Sequence, residues 1–130
     1  MVINDPATVR ELAELYPLYE TALVNNDVDT LIAMFWNSPH TVRFGATESL
    51  HGIEEIAAFR RGRSPANLAR SIDRLAIVTF GRDCGEISVE FSRATPAGTV
   101  RGRQSQTWVR LPEGWRIVAA HVSMLPAARP

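Results

Sequence analysis

The spacing of apolar residues predicts that the chain begins with a long amphipathic helix. Apolar side chains recur at three- and four-residue steps from Val9 to Leu23, which places them on one helical face. Asp5-Pro6 is typical of a helix start, because Asp caps well and proline fits the first turn. Asn25-Asn26 suits the end of the helix. Pro17 lacks a backbone N–H, so we expect the helix to be kinked or split there.

Two shorter helices and a pair of short strands are predicted next. Asp27 can cap a helix that carries apolar residues from Leu31 to Phe35. A β-branched and aromatic run from Thr41 to Phe44 predicts the first strand, and residues 48–52 form a short return strand. A third helix is predicted from Gly52 to about Gly62.

From Ser71 onward the pattern changes to a period of two residues, which is typical of strands. Glycine and proline turns separate four long strands, predicted at 72–80, 86–92, 99–111 and 115–125. The order ααββαββββ predicts an α+β fold in which three N-terminal helices pack in a strongly curved, mainly antiparallel sheet. We expect residues 1–130 to form one domain with a pocket at the open, concave end of the sheet.

Composition excludes several classes of partner. Fourteen basic and fourteen acidic side chains give a formal charge of zero, whereas a nucleic-acid or anionic-membrane surface needs a basic excess. Cys84 is the only cysteine, so no internal disulfide can form and a cysteine-based metal site is not expected. The N-terminus MVINDPATVRE lacks the features of a signal peptide, and no run approaches the roughly 18 apolar residues of a membrane helix. We therefore expect a cytoplasmic protein.

Arg43 interrupts an apolar strand run, and it is the sharpest candidate for a functional residue. Alternation places Arg43 on the face opposite Val42 and Phe44. If that face is the interior, the buried guanidinium needs a partner. The structural alternative is an internal ion pair with Glu48, Glu54 or Glu55. The functional alternative is a substrate carboxylate, which the guanidinium fork fits well.

Four further side chains have both a structural and a functional interpretation. Tyr19 is either a core tyrosine or a pocket hydroxyl, and Arg60 either complements the dipole of its helix or binds an anion. Its neighbours Arg61 and Arg63 are expected in solvent. Gln106 lies on one strand face with Gln104 and Trp108, which suits an amide-reading pocket wall or a polar subunit interface. His121 shares a face with Ala119 and Ser123 and is either structural or a ligand contact.

Five segments of the chain point to a known family. They are NNDVDTLIAMF, VRFGATESLHG, FRRGR, GRQSQTWVR and GWRIVAAHVS. Together they resemble the AtzH-like family, which includes the oxalurate-catabolism HpxZ-like proteins, within the nuclear transport factor 2-like (SnoaL-like) superfamily. The resemblance covers nearly the whole chain. It implies a cone fold and action on carboxylated ureas and related amides in cyanuric-acid or purine-derived nitrogen catabolism. One type of family member is a decarboxylating amidohydrolase of 1,3-dicarboxyurea.

The chain also resembles the ketosteroid isomerases, which share the cone fold, without a gap from Tyr19 to Arg60. Tyr19 falls on their oxyanion-hole tyrosine and Arg43 on their catalytic carboxylate base. Arg60 falls on a pocket tyrosine, and Gln106 on a protonated aspartic acid donor. Because a fixed cation replaces the general base, isomerase chemistry is not expected. The resemblance implies only the position of the pocket.

Two functions follow from these residues and resemblances. In the first, Arg43 and Arg60 hold the carboxylates of a small ureido acid, Gln106 reads its amide, and Tyr19 or His121 supplies a proton, with no metal or cofactor. In the second, the protein is not catalytic, and it binds a metabolite or assists an amidase of the same pathway.

A homodimer is also expected. Apolar side chains alternate at Ile87, Val89 and Phe91 and again at Val118, Ala120 and Val122, which suggests a second apolar face in need of a partner.

Overall fold

Three helices cover one face of a six-stranded sheet in the computed structural model, which describes residues 1–127. The element order confirms the predicted α+β succession. The helices are α1 (Pro6–Val24), α2 (Val28–Met34) and α3 (Ile53–Gly62). The strands are β1 (Val42–Phe44), β2 (Ser49–His51), β3 (Ser71–Phe80), β4 (Cys84–Thr95), β5 (Gly98–Leu111) and β6 (Gly114–Met124). None of the described helices combines the length and apolarity that crossing a membrane requires.

The strand order is β2-β1-β6-β5-β4-β3. Strand β1 runs parallel to β6, and the other neighbouring pairs are antiparallel, as the mainly antiparallel prediction requires. The parallel pair sets Arg43 of β1 opposite Ala120 of β6. The first strand of the chain is thereby held against the last, and Arg43 lies among the inward-facing side chains of the long strands.

Helix α1 continues through Pro17 and is not split there. The Asp5 side chain caps its start by accepting the backbone N–H of Thr8 at 3.2 Å, as the sequence predicts. Pro17 is exposed, and so is Ala13, whose carbonyl would have accepted the missing N–H. Water can therefore satisfy this carbonyl, which explains why proline is tolerated at this position.

Five of the six apolar side chains that were expected to form a second face point inward, and this corrects the argument offered for a homodimer. Ile87, Val89 and Phe91 are buried in the core against α1, and Ala120 joins the same cluster. Val122 packs partly buried against it. These residues therefore do not form an outer apolar face, and the homodimer stays a prediction without this support.

A β-bulge in β6 explains why the faces of the last strand were difficult to predict. Trp108 pairs with Ile117, but the preceding Thr107 pairs with Ala119, which leaves Val118 as the extra residue. Ile117 and Ala120 consequently both face the core, although simple alternation would put them on opposite faces.

Candidate functional site

A cavity of about 310 Å³ lies between the C-terminal half of α1, the end of α3 and the inner face of the sheet. Its lining is dominated by arginine side chains, which are Arg43, Arg60, Arg63, Arg70 and Arg93. Among the described residues, Glu48 is the one acidic residue that lines the same cavity, while Tyr19 and Gln104 supply neutral polar groups. The cavity is therefore suited to anions, although the chain as a whole is formally neutral.

Tyr19 and Arg60 meet inside this cavity. Arg60 Nη2 donates a hydrogen bond to the Tyr19 hydroxyl oxygen at 3.1 Å. Both residues are almost fully buried, with exposed fractions of 2% and 1%. Because the tyrosine oxygen accepts from the guanidinium, its own hydrogen can be donated elsewhere, and no acceptor for it lies within residues 1–127. The pair thus presents a hydroxyl group beside a fixed positive charge.

Arg43 lies on the inner face of β1, opposite Val42 and Phe44, as the alternation predicts. Its Nη1 donates to Glu48 Oε1 at 2.9 Å, and its guanidinium carbon lies 5.0 Å from the centre of the Phe59 ring. The two interpretations of Arg43 therefore both apply, because it is paired with Glu48 and also lines the cavity. Burial raises the pKa of Glu48, but hydrogen bonds from Arg43 and Thr47 bring it below its usual value.

A closed polar network adjoins the cavity, and two of its members, Arg70 and Gln104, line the cavity wall. Arg70 binds Glu20 through two hydrogen bonds of 2.8 Å each, and Tyr16 donates to the same carboxylate at 2.8 Å. Gln104 closes the ring, since it accepts from Arg70 and donates to the Tyr16 oxygen at 3.1 Å in both contacts. Burial, followed by the charge of Glu20, raises the pKa of Tyr16. The network neutralises Arg70 and packs the Tyr16 ring 5.8 Å from that of Tyr19.

Sequence reasoning missed this network, although one signal for it was present. Tyr16 and Glu20 are four residues apart, so they are neighbours on the surface of α1. Their partners Arg70 and Gln104 come from distant segments that only the folded sheet brings together.

Arg60, Arg63 and Arg93 have no acidic partner among residues 1–127. Burial and the neighbouring charges of Arg60, Arg43 and Arg93 lower the pKa of Arg63 to about 10. Burial also lowers the pKa of Arg60 and that of Arg93. Arg63 was expected in solvent, but it lines the cavity at the end of α3, while Arg61 is exposed.

The structure does not bring Gln106 and His121 to this cavity. Gln106 faces inward but lies deeper in the core, where its Oε1 accepts from Trp108 Nε1 at 3.0 Å. It is Gln104, on the same strand face, that reaches the cavity. His121 is exposed on the outer face of the sheet, where its ring meets Phe44 edge to face at 5.8 Å. His121 is therefore not placed to donate a proton inside this cavity.

Metal ligands are not clustered in the described part of the chain. Within residues 1–127, no three His, Cys, Asp or Glu side chains are grouped as a metal ion would need. That the protein works without a metal or cofactor stays a prediction.

Comparison with known proteins places the chain in a family. Among curated proteins, no match is found. A protein of unknown function of the DUF3225 family from Pectobacterium atrosepticum is 47% identical, with 95% of each chain covered and a TM-score of 0.90. A cystatin-like fold protein from Burkholderia xenovorans is 44% identical, with 98% of this chain and 99% of the other covered and a TM-score of 0.90.

More distant structures share the fold alone. A nuclear transport factor 2-like superfamily protein from Salmonella enterica is 22% identical, with 95% of this chain and 94% of the other covered and a TM-score of 0.77.

The sequence model of the AtzH-like family matches residues 1–128. Because this match spans nearly the whole chain, the protein belongs to the AtzH-like family, with a nuclear transport factor 2-like fold.

Proposed function

We propose that this protein is a cofactor-independent decarboxylating amidohydrolase of a small carboxylated urea, of the 1,3-dicarboxyurea type. Such a reaction belongs to the catabolism of nitrogen from cyanuric acid or purines. The observation that carries the proposal is the contact of Tyr19 with Arg60 inside a cavity lined by guanidinium groups. This contact places a proton donor beside an anion-binding wall. Loss of CO2 from an N-carboxylate needs both groups.

The reacting bond is the one between a urea nitrogen and its carboxylate carbon. When it breaks, its electron pair passes to the nitrogen and CO2 leaves. The Tyr19 hydroxyl gives the nitrogen its proton, and the Arg60 guanidinium at 3.1 Å stabilises the phenolate that remains. Water then returns the proton to Tyr19, and hydration of CO2 completes the net hydrolysis.

The cavity favours this route over attack by an activated water on the amide carbonyl. Water attack needs a general base, and Glu48 is the one carboxylate among the described residues that line the cavity. Its Oε1 is held by Arg43, and Thr47 donates to its Oε2 at 2.9 Å. In the free protein, both oxygens of this carboxylate therefore accept hydrogen bonds from the protein itself. Arg43 and Arg60 are the groups that we assign to the carboxylates of the substrate.

The direct test is to incubate the purified protein alone with freshly generated 1,3-dicarboxyurea and follow the release of CO2. We expect turnover that EDTA does not change, as well as its loss in Tyr19→Phe with binding kept within several-fold. Tyr16→Phe is the matched control, because Tyr16 lies one helical turn away and bonds to Glu20 rather than to Arg60. Its turnover should persist.

The same experiment distinguishes the second function. Binding of carboxylated ureas without any release of CO2 would favour a non-catalytic metabolite-binding protein or an accessory of an amidase. An unaltered rate in Tyr19→Phe would remove Tyr19 from the mechanism.

A further inference from the structure

Two of the five cavity arginines are neutralised by the protein itself, and three are not. Arg43 is paired with Glu48, and Arg70 is paired with Glu20. Arg60, Arg63 and Arg93 come from α3, its C-cap and β4, yet they line the same cavity without a carboxylate partner in the described chain. These three side chains therefore carry the positive charge of the cavity that no acidic side chain of residues 1–127 compensates.

Hydrogen-bond donors within this group are also unsatisfied. Arg60 is 1% exposed, and its Nε and Nη1 have no hydrogen-bond partner within residues 1–127. Arg93 Nε is buried without a partner as well. Buried donors on charged groups are costly to leave unpaired, and proteins seldom keep them without a reason. Their position on a cavity wall indicates that the missing acceptor comes from a ligand.

The dipole of α3 does not account for this group. Basic residues are favoured near a helix C-terminus, which explains the exposed Arg61. Arg93, in contrast, comes from a strand and has no helix end to complement. The unpaired nitrogens of Arg60 reach none of the carbonyl groups of the described chain.

We propose that Arg63 and Arg93, with the free nitrogens of Arg60, form an anion subsite separate from Arg43, so that the cavity takes ligands carrying two carboxylates. This proposal deepens the proposed function. It rests on that function in one respect, which is that the cavity binds the substrate. Arg43 holds one carboxylate after exchange with Glu48, and the subsite holds the other. Strong binding stabilises a carboxylate relative to the CO2 that it would release. The carboxylate at the more cationic subsite is therefore the one that the product retains.

Two stable compounds of one shape can test the subsite by calorimetric titration. Glutarate carries two carboxylates on the five-atom chain length of 1,3-dicarboxyurea, and glutaramate replaces one of them with a neutral amide. The unaltered protein should bind glutarate more tightly by about 10- to 100-fold, as expected for charge-assisted hydrogen bonds.

Arg63→Gln and Arg93→Gln should each lose most of this preference, because glutaramate can place its one carboxylate at either position whereas glutarate needs both. Arg61→Gln is the matched control, because Arg61 lies two residues from Arg63 but is exposed and does not line the cavity. Both cavity variants should melt at an equal or higher temperature, since each removes a repelled cation. This melt shows that lost binding does not reflect misfolding.

The subsite is overturned if either cavity variant keeps the full preference, if Arg61→Gln loses as much, or if the unaltered protein does not bind glutarate. These outcomes are independent of the proposed reaction. A preference that depends on Arg63 and Arg93 in a protein that releases no CO2 would refute the reaction alone. Release of CO2 without such a preference would refute the subsite alone.

Discussion

The Arg43 guanidinium donates a hydrogen bond to the Glu48 carboxylate over 2.9 Å, so the free protein holds one of its own carboxylates where a substrate carboxylate is proposed to bind. The arginine side chain is 6% exposed and the glutamate side chain 21% exposed. The anion position is thus filled from the solvent side by a group on the loop between β1 and β2. A ligand must displace this group before it can reach Arg43.

Arg43→Gln should lower stability modestly and ligand binding strongly. Removing one partner of a fully buried ion pair costs about 3–5 kcal/mol, and breaking an exposed pair costs less than about 1 kcal/mol. Because Glu48 is partly exposed and can turn to water, we expect a loss of about 1–2 kcal/mol, seen as a few degrees in a thermal melt. Glutarate affinity and turnover should fall together by more than tenfold.

Arg43→Lys is the companion variant. It keeps the charge but not the planar fork, so it should restore stability better than binding. An Arg43→Gln protein that melts early yet turns over substrate at the normal rate would exclude Arg43 from the site.

The Glu20–Arg70 pair predicts how stability depends on pH. Burial raises the pKa of Glu20, but the hydrogen bonds and charge of Arg70 outweigh this, so the folded pKa lies below the usual glutamate value of 4.5. A depressed pKa stabilises the fold fully above the unfolded pKa, and this contribution disappears as the pH falls through the folded pKa.

Glu20→Gln should therefore destabilise the protein by about 3–5 kcal/mol at pH 7, because Arg70 is left buried with an exposed side-chain fraction of 2%. The difference from the unaltered protein should shrink as the pH is lowered below 4.5. Urea unfolding of both proteins between pH 7 and pH 3 measures this difference in the free energy of unfolding. The other carboxylates are present in both proteins, so their titration cancels in the difference. A constant difference across this range would contradict the prediction.

The sequence was sufficient for the fold because each local signal agreed with the global arrangement. The Asp5 cap, the change to period two at Ser71 and the turns between strands all coincide with observed element boundaries. Pro17 is the exception, since helix α1 tolerates it on an exposed face.

The candidate site was harder to predict from the sequence, because it depends on strand register and on segments that are distant along the chain. Alternation gives the shared face of Gln104 and Gln106 but not their depth, and only Gln104 reaches the cavity. The bulge at Val118 reverses the phase of β6, so the sequence pattern alone could not place His121. Arg93 continues the alternation of Ile87, Val89 and Phe91 onto the inner face of β4, so the local pattern carried a signal for Arg93 that the prediction did not use.

His121→Ala should leave glutarate binding and turnover unchanged, because His121 lies on the outer face of the sheet. Titration and rate measurements beside the unaltered protein check this. A lost rate would instead require that the outer face take part in the reaction.

Light scattering at micromolar concentration tests the predicted homodimer in the same samples, and the mass of a single chain would contradict it.

The last prediction concerns Gly45, which lies directly beneath the Glu48 carboxylate. A Cβ at position 45 would overlap the Glu48 side chain, so Gly45→Ala should push the carboxylate away from Arg43. Because Glu48 competes with the ligand for Arg43, glutarate should then bind several-fold more tightly, while stability falls slightly. Glu48→Gln should raise the affinity in the same way, by removing the competing charge without adding a methyl group. Gly62→Ala is the matched control, since a Cβ there meets nothing within 4 Å. If both Gly45→Ala and Glu48→Gln weaken glutarate binding instead, Glu48 supports the ligand rather than competing with it, and the exchange at Arg43 is refuted.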